Sequence, residues 1–190
     1  MKIRGEWAFI TGAAGGLGLA MANELAARGA KLILTDLAVA SMQDAAEALR
    51  AGGTEVVVWA QDVTDRERWV EIADTLKAEG RIPRLLINNA GIITPERQSA
   101  LDMDFEGFAD TLAVNTLAPL AVSQAFLPHL RRSGSGRILT ISSQMAWISA
   151  PVHRNCPCTS ADDGSFGSAS KVRWARSCAL RATPKQYSGS

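Results

Sequence analysis

The residues with the clearest chemical potential are the glycines of TGAAGGLG, which runs from Thr11 to Gly18. An apolar run precedes this stretch and an apolar pattern with helical spacing follows it, so it predicts a strand-to-helix turn. Missing side chains there let the backbone approach a pyrophosphate, and amides at the helix start bind anions. A tight turn without a ligand is the simpler alternative, but the flanking elements favour a dinucleotide site. Its expected residues are Gly12, Gly16, Leu17 and Gly18.

An aspartate ends the next apolar run, KLILTD, at Asp36. A carboxylate in this position accepts hydrogen bonds from the ribose hydroxyls of a dinucleotide and repels a 2′-phosphate. No Lys or Arg lies between Thr35 and Ala40. The sequence therefore favours NAD over NADP as cofactor, the alternative being a solvated aspartate at a strand end.

The elements that must position these residues alternate along the chain. Five short apolar runs predict strands at Trp7–Gly12, Lys31–Asp36, Glu55–Val63, Arg84–Gly91 and Gly136–Ser143. Strands that are apolar throughout and separated by helices indicate a parallel sheet covered on both faces. With right-handed crossovers this is a doubly wound α/β sheet of the Rossmann type, with three αβα layers.

Helical spacing fills the gaps between these strands. The first predicted helix covers residues 17–28, and the second is capped by Ser41 and ends at Arg50. The third opens with a capping box formed by Thr64 and Glu67, and the fourth is a long helical region over residues 105–130. Pro119 is expected to kink the last of these.

In this order, TGAAGGLG, QDV, NNAG, VN and ISS resemble the short-chain dehydrogenase/reductase family over residues 5 to 150. The resemblance implies that further residues contact the cofactor. Asp62 would bind the adenine amino group beside the Val63 backbone, and Asn89, Ala90 and Gly91 would line the cofactor. It also implies strands beyond the fifth, which we expect to be missing here, and association into dimers or tetramers.

The same resemblance implies an oxidoreductase that transfers hydride between NAD(H) and a small alcohol or carbonyl substrate. Asn115 matches the helix asparagine that holds a proton-relay water, and Ser143 matches the serine that hydrogen-bonds the substrate oxygen. The alternatives are a polar helix residue and a strand-end serine. Together in one chain, the two residues favour the catalytic interpretation.

The family also carries a Tyr-x-x-x-Lys pair, and no segment of this chain has both the tyrosine and the lysine at that spacing. That spacing places a proton-transferring tyrosine and a lysine on one helix face. The only tyrosine is Tyr187, with no lysine four residues on, while CTSAD (Cys158–Asp162) and GSASK (Gly167–Lys171) keep parts of the pattern. We expect little or no turnover. A non-catalytic NAD-binding module and a frameshifted or truncated product are the alternatives.

Residues 151–190 differ in composition from the predicted Rossmann core, residues 1–150. They hold all three cysteines but only four Ile, Leu, Val, Met or Phe residues, so a divergent and poorly ordered segment is expected. His153, Cys156 and Cys158 offer three ligands with Cys-x-Cys spacing, which does not suit structural zinc, and no metal is expected.

The segment can also be interpreted as a reading-frame shift near residue 155. KQYSG, residues 185–189, can be written in codons that one nucleotide later encode Ser-Asn-Ile-Arg-Val. Members of the resembling family continue with a strand that often begins Ile-Arg-Val-Asn. For suitable codons, the same shift can turn Asn155, Cys156 and Pro157 into Ile-Ala-Pro.

Composition narrows the classes of partner that the protein is expected to bind. The net charge of +1 argues against nucleic acid or an anionic membrane surface. No apolar run approaches a transmembrane length, and the N-terminus lacks the shape of a signal peptide. A cytoplasmic protein that binds small molecules and self-associates is expected.

Overall fold

The computed structural model describes residues 2–93, 104–132 and 134–142. Its strands are β1 (Trp7–Thr11), β2 (Lys31–Asp36), β3 (Val56–Ala60), β4 (Pro83–Asn88) and β5 (Arg137–Thr140). Its helices are α1 (Gly16–Ala27), α2 (Val39–Ala51), α3 (Arg66–Ala78), α4 (Phe105–Leu112) and α5 (Ala118–Arg132), with a π-helical turn at Ala113–Leu117. None of these helices is long and apolar enough to cross a membrane.

The strands form one parallel sheet in the order β3-β2-β1-β4-β5. The chain runs outward from β1 to β3, returns to the other side of β1 at β4, and continues to β5. The strand order therefore reverses between β1 and β4, where the crevice at the carboxyl ends of the strands binds ligands in such folds. The predicted doubly wound α/β sheet is confirmed.

Each face of the sheet carries its own apolar core. On one face, Ala8, Ile10 and Leu32 pack with residues of α1 and α2. On the other, Phe9 meets the rings of Trp69 from α3 and Phe126 from α5, with centroids 5.9 and 4.8 Å apart. Alternation along β1 thus sends neighbouring side chains into different cores, which is why the whole strand is apolar.

Two predicted helix caps are wrong. The α2 helix begins at Val39, before Ser41, and its first turn has no side-chain cap. The α3 helix is capped by Asp65, whose carboxylate accepts from the Arg68 amide at 3.2 Å. Thr64 does not cap it because both its amide and its hydroxyl donate to Asp62 Oδ1 instead.

The long helical region after β4 is broken near the predicted proline. Pro119 lies in the first turn of α5, directly after the π-helical turn. Proline has no amide hydrogen, so Pro119 cannot donate to the carbonyl of Asn115 four residues earlier. The wider π turn accommodates this missing bond and places Asn115 at the irregularity.

Residues 143–190 lie outside the described residues. They include Ser143, His153 and the cysteines, so the predictions made for these side chains and for a poorly ordered segment stay predictions.

Candidate functional site

A cleft of about 750 Å³ lies at the carboxyl ends of the strands, a volume typical of small-molecule sites. Its described walls come from the glycine turn, from the ends of β2, β3 and β4, and from α4 with the π turn. They are formed by Gly12, Gly15, Leu17, Asp36, Leu37, Gln61, Asp62, Val63, Thr64, Asn89, Ala90, Gly91, Ile92, Asp110, Ala113 and Val114.

The glycine turn can form only because Gly12, Gly16 and Gly18 lack side chains. Gly12 has φ +65°, and a Cβ there would lie 2.8 Å from the Ala90 Cα. A Cβ on Gly18 would overlap the Gly12 carbonyl oxygen and lie 2.8 Å from Asn89 Nδ2. Gly16 has φ +52° and open space around it. Gly16 and Gly18 therefore shape the turn, whereas Gly12, Gly15 and Leu17 line the cleft.

The start of α1 faces this cleft without a side-chain cap. Its N-cap residue is Gly15, and the first turn holds no acidic residue. The amides at a helix start carry partial positive charge and lack partners within the helix. This end of α1 is therefore suited to an anionic ligand such as a pyrophosphate.

The end of β4 is tied to the glycine turn through Thr11 and Asn89. The Thr11 hydroxyl accepts from the amides of Asn89 and Ala90, each at 3.0 Å. In return, Asn89 Nδ2 donates to the carbonyls of Thr11 and Gly12 at 3.0 and 2.9 Å. These bonds fix the distance between the two strand ends, and with it the floor of the cleft.

The Asp36 carboxylate is oriented by two backbone amides. Ala14 donates to one oxygen at 2.9 Å and Ala38 to the other at 3.1 Å. The side chain is thereby held between the glycine turn and the start of α2, at the cleft wall. Each oxygen keeps a further lone pair for hydroxyl donors.

The loop after β3 is equally ordered. Asp62 Oδ1 accepts from the Thr64 amide at 2.8 Å and the Thr64 hydroxyl at 2.7 Å. The Val63 carbonyl accepts from the indole Nε1 of buried Trp69 at 3.0 Å. The backbone at Val63 is therefore held against the α3 helix while Asp62 and Val63 line the cleft.

Asn115 adjoins the cleft wall at Ile92 and supports it. Its Oδ1 accepts from the Ile92 amide and its Nδ2 donates to the Ile92 carbonyl, both at 2.8 Å. Each end of the side-chain amide thus makes one bond to Ile92, which leaves one lone pair on Oδ1 and one N–H on Nδ2 for a further partner.

The charged side chains among the described lining residues of the cleft are all acidic. Asp36, Asp62 and Asp110 line it, and no Lys or Arg is among its described lining residues. Within the described part of the chain, no group of three His, Cys, Asp or Glu side chains could hold a metal ion.

Sequence reasoning missed several residues of this site. It found the segments that carry recognisable motifs, but it assigned no role to Thr11, Leu37, Ile92 or Asp110. Thr11 and Ile92 adjoin the motifs TGAAGGLG and NNAG, which is a usable signal. For Asp110 the sequence offers none, because its helix reaches the cleft only through the three-dimensional path of the chain.

One buried ionisable group lies away from the cleft, at His129 on α5. Its side chain is buried, Nδ1 has no hydrogen-bond partner, and Nε2 lies 3.9 Å from Asp74 Oδ1. Burial lowers the pKa of His129 below 6.5, and the nearby charges of Lys77 and Arg132 lower it further, against the opposing charge of Asp74. His129 is therefore a neutral core residue and not the surface or C-cap residue that its position near a helix end suggests.

The model of the short chain dehydrogenase family matches residues 6–156. A 2,5-dichloro-2,5-cyclohexadiene-1,4-diol dehydrogenase LinX of Sphingobium indicum is 37% identical over 146 residues, which are 75% of this chain and 56% of that protein. An 11-beta-hydroxysteroid dehydrogenase A of Sesamum indicum is 34% identical over 151 residues, covering 78% of this chain and 42% of that protein. The chain thus spans about half the length of these relatives.

Solved structures share the fold. A metagenomic short-chain oxidoreductase in complex with NADP superposes with a TM-score of 0.69 at 30% identity, covering 75% of this chain and 64% of that one. The apo form of LigD from Sphingobium sp. strain SYK-6 gives a TM-score of 0.73 at 28% identity, over 78% of this chain and 63% of that one.

Proposed function

Because the chain belongs to the short chain dehydrogenase family, we propose that it binds NAD(H) in the cleft as an oxidoreductase of alcohols and carbonyl compounds. The observation that carries this proposal is the uncapped start of α1 beside a turn in which Gly12 and Gly18 leave no room for a Cβ. When bound, a nicotinamide ring supplies the capacity to give or accept hydride.

The cleft favours NAD over NADP. The Asp36 carboxylate is fixed by two amides at the position where ribose hydroxyls would donate to it. A 2′-phosphate at that point would meet this negative charge and no cation of the described lining residues. One solved neighbour contains NADP, so the proposed preference rests on Asp36 of this chain and not on that likeness.

The described residues supply binding, whereas proton transfer depends on residues outside them. We propose that Ser143 hydrogen-bonds the substrate oxygen and that Asn115 holds a relay water. The chain has one tyrosine, Tyr187, and it is not followed by lysine four residues later. Without a positioned proton donor, general acid catalysis worth a factor of about 10² to 10⁴ is lost. Turnover is therefore expected to be weak or absent.

An activity assay on the full chain tests this proposal. The purified protein is incubated with NADH and a panel of aldehydes and ketones, and with NAD and the matching alcohols, while reduced nicotinamide is followed by absorbance. The proposal predicts saturable NADH binding with slow or undetectable turnover. Efficient turnover would show that another group transfers the proton. It would contradict the claim that the chain lacks a positioned proton donor.

A non-catalytic NAD-binding module is the second candidate, and the isolated Tyr187 favours it. The two candidates differ in one measurable respect. A slow enzyme turns over faster when the substrate concentration is raised, and replacing Ser143 by Ala abolishes that turnover. A binding module shows NADH binding that Ser143→Ala leaves unchanged, and no turnover at any substrate concentration.

A third candidate is a product of a shifted reading frame. The family match ends at residue 156, next to the expected shift near residue 155. Sequencing the coding DNA decides this. A downstream frame that encodes family-like residues would support the shift, and the absence of such a frame would exclude it.

A further inference from the structure

Asp110 is a residue of the cleft without a role in the proposed function. It lies on α4 and lines the cleft together with Ala113 and Val114, three and four residues further on. This spacing places all three on one face of the helical region. The Asp110 side chain is exposed and makes no hydrogen bond or ion pair with any described residue. Its carboxylate is therefore free to accept hydrogen bonds from a ligand.

The walls of the cleft show which part of a dinucleotide Asp62 would meet. The glycine turn follows β1, Asp36 follows β2, and Asp62 follows β3, the outermost strand on that side. If the pyrophosphate lies at the turn and the ribose at Asp36, the base lies towards Asp62 and Val63. Asp110 reaches the same cleft from α4, an element that does not belong to that strand edge.

Asp62 leaves part of its carboxylate available at this end. Its Oδ1 is occupied by the amide and hydroxyl of Thr64. Its Oδ2 makes no hydrogen bond with a described residue. The cleft therefore presents two carboxylates from separate elements, each with acceptor capacity and neither able to donate when ionised.

Purine bases differ in what they offer to such acceptors. Adenine carries an exocyclic amino group with two N–H donors, whereas hypoxanthine and guanine carry a carbonyl oxygen at the same ring position. Two carboxylates match the amino group and repel the carbonyl. We propose that Asp110 is a specificity-determining residue that accepts a second hydrogen bond from the adenine amino group, beside Asp62. This inference rests on the proposed binding of NAD(H).

The test compares NADH with its hypoxanthine analogue, reduced nicotinamide hypoxanthine dinucleotide. Both carry the same charge, so general electrostatic effects of a mutation cancel in the ratio of their dissociation constants. The ratio is measured by fluorescence titration for the wild-type chain, Asp110→Asn and Asp110→Ala. Asp44→Asn is the matched control, because Asp44 is exposed on α2, makes no described ion pair and does not line the cleft.

The wild-type chain is expected to prefer NADH by about tenfold, and Asp110→Asn to reduce this preference about three- to tenfold, since an amide can donate to the carbonyl. Asp110→Ala reduces it to a similar extent, because it removes both the acceptor for the amino group and the charge that repels the carbonyl. Asp44→Asn leaves it unchanged. An unchanged preference in Asp110→Asn, with NADH still bound, overturns the role of Asp110 but not the proposed function. Failure of the folded wild-type chain to bind either dinucleotide overturns both.

Discussion

The centre of the sheet and its β5 edge differ in how completely the described residues enclose them. All five residues of β1 are buried, and the strand ends in a turn cross-linked to β4 by Thr11 and Asn89. All four residues of β5 are exposed, and Ser143, expected at its end, lies outside the described residues. The proposed binding half of the site is thus assembled by contacts within residues 7–115, whereas the proposed catalytic half also needs Ser143. Binding and turnover should therefore respond separately to mutation.

The largest effect is expected at the glycine turn. Gly18→Ala forces a methyl group into the Gly12 carbonyl, so the turn and the clamp from Asn89 must shift. Overpacking of this kind costs about 1–3 kcal/mol or more, and NADH binding should be lost. Thermal unfolding and NADH titration measure both effects. Gly15→Ala is the control for folding, because a Cβ there has nothing within 4 Å. Equal melting temperatures for the two variants would contradict this account of the turn.

The next effect is a change of cofactor preference at Asp36. In Asp36→Asn the side chain keeps its shape but loses its negative charge. That charge strengthens the hydrogen bonds accepted from the ribose hydroxyls and repels a 2′-phosphate. NADH binding should weaken about tenfold, as expected for a hydrogen bond to a charged group, while NADPH binding improves. Titrations with both cofactors give the ratio, with Asp44→Asn as the charge-matched control. A ratio that Asp36→Asn leaves unchanged would remove the basis for assigning NAD.

A smaller effect is expected beside the cleft wall, at Asn115. Asn115→Ala removes two hydrogen bonds to Ile92 and should cost about 1–2 kcal/mol in the free energy of unfolding. Asn115→Asp should cost more at neutral pH, because one carboxylate oxygen then faces the Ile92 carbonyl. Urea unfolding measures this order. If the aspartate variant is the more stable of the two, the paired geometry at Ile92 is wrong.

The smallest effect concerns pH and lies far from the cleft. The pKa of His129 is lowered in the folded chain, so the unfolded chain binds more protons just below pH 6.5. As far as His129 is concerned, the free energy of unfolding should therefore be highest above about pH 6.5. It should fall as the pH drops towards the folded-state pKa.

Two variants sharpen this pH dependence. His129→Leu should lose less stability than the wild-type chain over that interval. Asp74→Asn should lose more, because it removes the one nearby charge that raises the pKa of His129. Urea unfolding at several pH values gives the slopes. Identical slopes in all three proteins would show that His129 does not titrate differently on folding.

The parts of this molecule that the sequence predicted are those encoded by local patterns. The parallel sheet follows from apolar runs, and the glycine turn and Asp36 follow from short motifs at strand ends. The caps at Ser41 and Thr64 were wrong, because Thr64 bonds to Asp62 and α2 starts early, at Val39. Asp110 could not be predicted, since only the packing of α4 over the strand ends brings it to the cleft.

An equilibrium titration of the full chain with NADH and NADPH tests the central claim most directly, namely that the described residues form a complete NAD site. The five tryptophans, among them Trp59 and Trp69, are excited and energy transfer to bound reduced cofactor is recorded. The account predicts saturable binding of NADH that is at least about tenfold tighter than that of NADPH. No saturable binding by the folded protein, or equal binding of the two cofactors, would contradict it.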